Sequence, residues 1–171
     1  MTSKRDDSGI WKRALWLVPL IVIGGTLSGF LSGSAQGEWY ASLEKPSFQP
    51  PGQAFGIVWP ALYTMMALAL ATVLNEPRTK ARDKAVTIFL VQLALNYAWS
   101  FVFFSAQAIG NALSLLVVIV ALVATSVVLF WRIRPLAGAL LLPYLAWVIF
   151  ATALNSAILT LNPGAGTPLI G

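Results

Sequence analysis

The sequence predicts an all-α integral membrane protein, a bundle of five transmembrane helices. Three observations carry that expectation. Hydrophobic residues make up 58% and charged residues 10% of the 171 positions, whereas a soluble domain has about 25% charged residues. The apolar residues fall into five runs, each long enough to cross ~30 Å of hydrocarbon. Every Lys and Arg except Lys45 falls on one side of the runs when they are threaded back and forth.

Residues 1–13 form a polar tail that ends in Trp11-Lys12-Arg13. The first span covers about 14–34. It exceeds the apolar region of a signal peptide and lacks a clean small-x-small cleavage site, so a retained helix is expected. Gly25, Gly29 and Gly33 recur every four residues within it, a stripe that admits a second helix at close range. The second span covers about 54–74, with Pro60 in its early part, where a missing N–H is cheapest. A charged loop, 75–84, leads to the third span at about 85–106. Gln107 to Asn111 reads as a tight turn built on Gly110. The fourth span, 112–131, is almost wholly Leu, Val, Ile and Ala and reads as lipid-facing scaffold. Arg132-Ile-Arg134-Pro135 ends it. The fifth span, 136–161, holds Pro143, where a kink is expected. A tail, 162–171, has no helix signal.

Five spans put the termini on opposite sides. The basic residues place the N-terminus and the loops at 75–84 and 132–135 in the cytoplasm of a bacterial plasma membrane. In an outer membrane the same side would be periplasm.

Cys and His are both absent, which removes disulfides and thiolate chemistry and argues against a zinc or His-held haem site. The net charge of +5 is explained by membrane orientation rather than by nucleic acid. No carboxylate lies inside a span, so hydrolysis has no visible proton carrier. An ion-coupled transporter would show an intramembrane ionisable residue. No catalytic or metal-ligating residue is assigned, and no cofactor is required.

The polar and aromatic residues instead form stripes. Gln92, Asn96, Trp99 and Phe103 share one face of the third span. Tyr144, Trp147, Ala151 and Asn155 share one face of the fifth, and the second offers Trp59, Tyr63 and Met66. The connecting segment 35–53 carries Trp39, Tyr40 and Phe48 with Pro46, Pro50 and Pro51. The prolines stiffen it, so its aromatics either anchor at the headgroups or fold down as a lid. The asparagines admit two roles, as interhelical hydrogen-bonding glue or as ligand contacts. Three indoles at one depth suit a flat aromatic ligand.

At these residues the chain resembles the translocator protein family, also called tryptophan-rich sensory proteins or peripheral-type benzodiazepine receptors. The matching motifs are WYxxLxKPxFxPP at 39–51, VWPALY at 58–63, QLALNYAWSFVFF at 92–104 and PYLAWVIFATALN at 143–155. The resemblance implies a five-helix bundle, commonly a homodimer, that binds porphyrins such as protoporphyrin IX. Haem, sterols and synthetic aromatic ligands also bind family members. It carries ligand-lining roles to Tyr40, Trp59, Asn96, Trp147 and Ala151. The function it implies is tetrapyrrole handling, transport or stress-linked regulation. A transporter of amphipathic solutes is one alternative. Light-dependent porphyrin breakdown at Trp59 and Trp147 is another. Two departures stand out. The family's sterol motif needs a Tyr and a basic residue, and neither occurs in 154–160, so sterol binding is not expected by that route. Phe48 replaces the Trp of many relatives.

Overall fold

A computed structural model describes residues 8–33 and 37–165. Its elements are α1 (Ser8–Leu31), α2 (Glu38–Ser42), α3 (Gly52–Leu74), α4 (Lys80–Ser100), α5 (Ile109–Ile133) and α6 (Pro135–Leu161). A π-helical turn, Phe101–Ser105, continues α4. Five of these, α1, α3, α4 with its π turn, α5 and α6, are long and apolar enough to cross a membrane. The described residues contain no strand. The chain is an integral membrane protein of all-α class.

Each span begins earlier than its apolar run. Nothing in Ser8–Arg13 breaks a helix, and Arg13 Nη1 donates to the Gly9 carbonyl at 3.0 Å and to Asn75 Oδ1 at 2.7 Å. That ties the start of α1 to the end of α3. Gly33 ends α1 with φ +73°, the left-handed region that favours glycine at a helix C-terminus. Because α3 already begins at Gly52, Pro60 lies in its interior, not in its first turn. Thr64 Oγ1 donates to the Pro60 carbonyl at 2.8 Å. Thr79 caps α4, its Oγ1 accepting from the Arg82 N–H at 3.1 Å. The turn after the third span is made by Gln107, with φ 55°, while Gly110 lies inside α5. Helix α6 starts on Pro135, where a missing N–H costs nothing, and runs without interruption past Pro143.

The helices pair as α1 with α3, α3 with α6, α6 with α5, and α5 with α4, while α4 also touches α1. The last contact closes the ring. Ser28 Oγ donates to the Tyr97 carbonyl and Tyr97 Oη to the Ile21 carbonyl, both at 2.7 Å. Helix α5 is not simply lipid-facing scaffold. Leu116, Ile119, Val123 and Phe130 form a buried face, and Phe130 stacks on Phe89 of α4 at 5.3 Å. Its uniform apolar composition hid that face, because Leu and Val suit lipid and protein interior alike.

One end of the bundle is clasped by polar bonds. Arg134 Nη1, at the α5–α6 joint, meets Glu76 Oε1 at 3.0 Å. Arg82 Nη1 donates to the Glu76 carbonyl at 3.0 Å. The opposite end carries α2.

Candidate functional site

Between the helices, at the end that carries α2, lies a cavity of about 410 Å³. That volume falls in the range of small-molecule sites, roughly 300–1,000 Å³. Its walls come from α1, α3, α4 with the π turn, and α6, with Leu116 of α5.

Aromatic rings set its shape. Trp59 stacks on Tyr63 at 5.3 Å, one turn along α3. Trp147 meets Trp59 edge-on at 6.4 Å and Phe55 at 5.7 Å. From α4, Trp99 stacks on Phe103 at 5.1 Å. On α6, Trp147, Ala151 and Asn155 are four residues apart and share the wall. The two faces read from the sequence, on the third and fifth spans, therefore meet across one space.

Segment 37–51 is a lid, and it contains the short helix α2. Tyr40 is buried, with its ring 5.4 Å from Phe104 and 6.0 Å from Phe103. Those two rings are consecutive in sequence. The π turn adds a residue to the helical repeat, so the angle between them narrows and both reach Tyr40. Burial pushes the Tyr40 phenol above its ordinary pKa. Lys45 Nζ lies 4.9 Å from the Tyr40 ring centroid and donates to the Ala41 and Leu43 carbonyls at 3.2 and 3.0 Å. Two bonds pin the lid to the end of α6. The Glu44 N–H donates to Asn162 Oδ1, and Asn162 Nδ2 donates to the Glu44 carbonyl, both at 2.8 Å.

Of the residues singled out in the sequence, Tyr40, Trp59, Tyr63, Asn96, Trp99, Phe103, Trp147, Ala151 and Asn155 all line this cavity. Trp39, Phe48, Met66, Gln92 and Tyr144 do not. Trp39 packs edge-on against Phe103 at 5.7 Å, and its indole N–H makes a long 3.4 Å contact with the Ala165 carbonyl. Tyr144 is fully buried and donates to Gln92 Oε1 at 2.9 Å. Its position on the stripe was right, but the stripe runs on into the packed core, where a phenol needs a fixed acceptor.

The asparagines divide. Asn96 accepts from Tyr63 Oη at 2.9 Å and joins α4 to α3. Asn155 is 2% exposed, and neither Oδ1 nor Nδ2 has a partner among the described residues. The indole Nε1 atoms of Trp99 and Trp147 are likewise buried without a partner. Three cavity-lining side chains therefore hold unsatisfied polar atoms. No Asp, Glu, Lys or Arg lines the space. Among the described residues no three His, Cys, Asp or Glu side chains gather as a metal site.

Sequence reasoning missed Gly29, Gly56, Phe55 and Phe104 as wall residues. In the sequence the glycine stripe reads as helix packing. At Gly25 it is packing, because a Cβ there would collide with the Tyr63 ring. At Gly29 a Cβ would meet nothing within 4 Å, and the missing side chain leaves room in the cavity. Phe55 was visible as an aromatic one turn before Trp59. Nothing in the sequence marked the π turn that brings Phe104 to the lid.

The architecture is that of a five-helix membrane protein with a lidded, uncharged, aromatic cavity. The sequence matches the TspO/MBR family over residues 17–161, and the chain belongs to that family. It is 40% identical over 129 residues to the human translocator protein, covering 74% of this chain and 76% of that one. It is 36% identical over 159 residues to the tryptophan-rich protein TspO of Archaeoglobus fulgidus, covering 90% and 98%. It is 33% identical over 152 residues to protein CrtK of Rhodobacter capsulatus, covering 88% and 92%.

Proposed function

We propose that this protein binds a tetrapyrrole of the porphyrin class in the lidded cavity and acts in tetrapyrrole handling or stress-linked regulation. One observation carries the reading: Tyr40, Trp59, Trp99 and Trp147 converge on a single space of about 410 Å³ that no charged side chain lines. Trp59 and Trp147 offer ring faces and edges to a flat molecule. Tyr40 covers it from the lid, and no protein cofactor is needed. The exposed Lys12, Lys80, Lys84 and Arg132 support a cytoplasmic N-terminus. A homodimer in the membrane completes the reading.

Titration of the purified full chain with protoporphyrin IX, followed by tryptophan fluorescence, tests it. Saturable quenching is expected, with affinity lowered several-fold by Trp147→Phe and by Tyr40→Phe in folded protein. Unchanged quenching in both variants would remove the cavity from the binding event. Proteoliposomes preloaded with the same porphyrin separate binding from transport, since directional, saturable flux would make the protein a carrier.

A further inference from the structure

The cavity has a side opening as well as a roof. Helix α1 crosses α3 at Gly25, where the Tyr63 ring leaves no room for a Cβ. Beyond that crossing α1 leans on α4. Ser28 Oγ donates to the Tyr97 carbonyl at 2.7 Å, and Ser105 Oγ of the π turn donates to the Ser32 carbonyl at 3.0 Å. Towards α3 the residues are Gly29 on one side and Gly52 and Gly56 on the other. A Cβ on any of these three would meet nothing within 4 Å, so the two helices stand apart there.

All three glycines line the cavity, together with Thr26 and Phe30. Phe30 is nevertheless 79% exposed, and Ile57, beside Gly56, is 74% exposed. A side chain that both lines a cavity and is exposed marks its mouth. Apolar side chains exposed on a membrane-crossing helix face lipid, which is as apolar as they are. The mouth between α1 and α3 therefore opens towards the acyl chains.

The roof is fastened on the opposite side. Tyr40 packs on Phe103 and Phe104, Phe48 meets Phe150 edge-on at 6.2 Å, and Glu44 is bonded to Asn162. Lifting it breaks these ties to the π turn and the end of α6 together. Clearing the side mouth takes a rotamer change of an exposed phenyl, a motion of picoseconds to nanoseconds. A large flat apolar molecule also concentrates in the bilayer, since each Å² of apolar surface removed from water is worth about 25 cal/mol.

We propose, taking the cavity as the ligand site described above, that its ligand enters and leaves sideways. The route runs from the acyl-chain layer through the gap between α1 and α3, with the roof in place. Gly29 and Gly56 keep the gap open, and Phe30 is its movable edge. The protein thus draws on ligand dissolved in the membrane rather than in water.

The test is stopped-flow tryptophan quenching by protoporphyrin IX on the full chain in lipid nanodiscs, with association and dissociation both measured. Gly56→Leu narrows the mouth and meets open space, so the fold is kept. Phe30→Ala widens it. A residue on the route changes the barrier for entry and exit alike, so the two rates move together and Kd moves far less. Gly56→Leu is expected to slow both rates about tenfold, the effect of a modest steric cost in the barrier. Phe30→Ala is expected to speed both several-fold. Asn162→Ala, which unfastens the roof, is expected to change them far less than either. Rates unmoved by both mouth variants, or rates that respond more to Asn162→Ala, would overturn the sideways route and leave binding in the cavity standing. A change in dissociation alone on Gly56→Leu would make Gly56 a wall contact and overturn the route as well. Absence of quenching in the parent protein would overturn both readings.

Discussion

Replacing Asn155 by leucine should make the empty protein more stable, and replacing Asn96 by leucine should make it less so. The two side chains are chemically identical and both line the cavity, but only Asn96 has a fixed partner, Tyr63 Oη at 2.9 Å. A buried polar group without a partner costs about 1–3 kcal/mol. Leucine has the same number and branching of side-chain heavy atoms as asparagine, is bulkier, and leaves no polar atom. The added bulk of leucine offsets part of the gain, so the low end applies and Asn155→Leu should stabilise by about 1 kcal/mol. Asn96→Leu deletes an interhelical bond worth about 0.6–2 kcal/mol and leaves the Tyr63 hydroxyl unpaired. Thermal unfolding of the ligand-free protein in one detergent reads both signs. A midpoint rise of about 2–4 °C is expected for Asn155→Leu and a fall of similar size for Asn96→Leu. If Asn155→Leu lowers the midpoint as much as Asn96→Leu, then Asn155 is structural glue and its amide is not unsatisfied.

Three further outcomes follow from the packing. Gly25→Ala should destabilise by about 1–3 kcal/mol through overpacking against the Tyr63 ring, whereas Gly29→Ala, with open space around it, should be nearly neutral. A common midpoint for the two variants would contradict the α1–α3 crossing described. Glu76→Gln should cost about 1–2 kcal/mol by weakening the 3.0 Å contact with Arg134, whose side chains are 15% and 18% exposed. Chemical unfolding checks it, and an unchanged midpoint would count against the clasp. The raised Tyr40 pKa means that the docked lid favours the neutral phenol. Its contribution is complete below the ordinary pKa of 10.0 and is lost as pH rises through the docked value. Proteolysis within 37–51 should accelerate in that alkaline window and lose that pH dependence in Tyr40→Phe.

Most of the fold was legible because lipid imposes long apolar runs. The ends were not, since Ser8–Arg13 and Lys80–Lys84 are polar yet helical. Polar side chains at a helix end reach the interface without breaking the helix. The stripes on the third and fifth spans correctly brought Asn96, Trp99, Trp147 and Asn155 to one cavity, because helical spacing fixes a face. A face, however, does not say how deep a cavity goes, and Tyr144 fell beyond its floor. The unequal state of the two asparagines was also unreadable. It depends on Tyr63 reaching one of them from another helix. The π turn left no mark because Phe-Val-Phe-Phe-Ser suits an α-helix as well. Residues 1–7, 34–36 and 166–171, including part of the first span's expected end and of both tails, lie outside the described residues.

The stitch between Glu44 and Asn162 spans 118 positions of chain. Synthesis runs from the N-terminus, so the roof emerges from the ribosome long before the post it fastens to. The last helix to be made supplies both one wall of the chamber and the post that holds its roof. A chain cut just before Asn162 would keep the wall and lose the fastening, leaving the roof held by the packing of Tyr40 on Phe103 and Phe104.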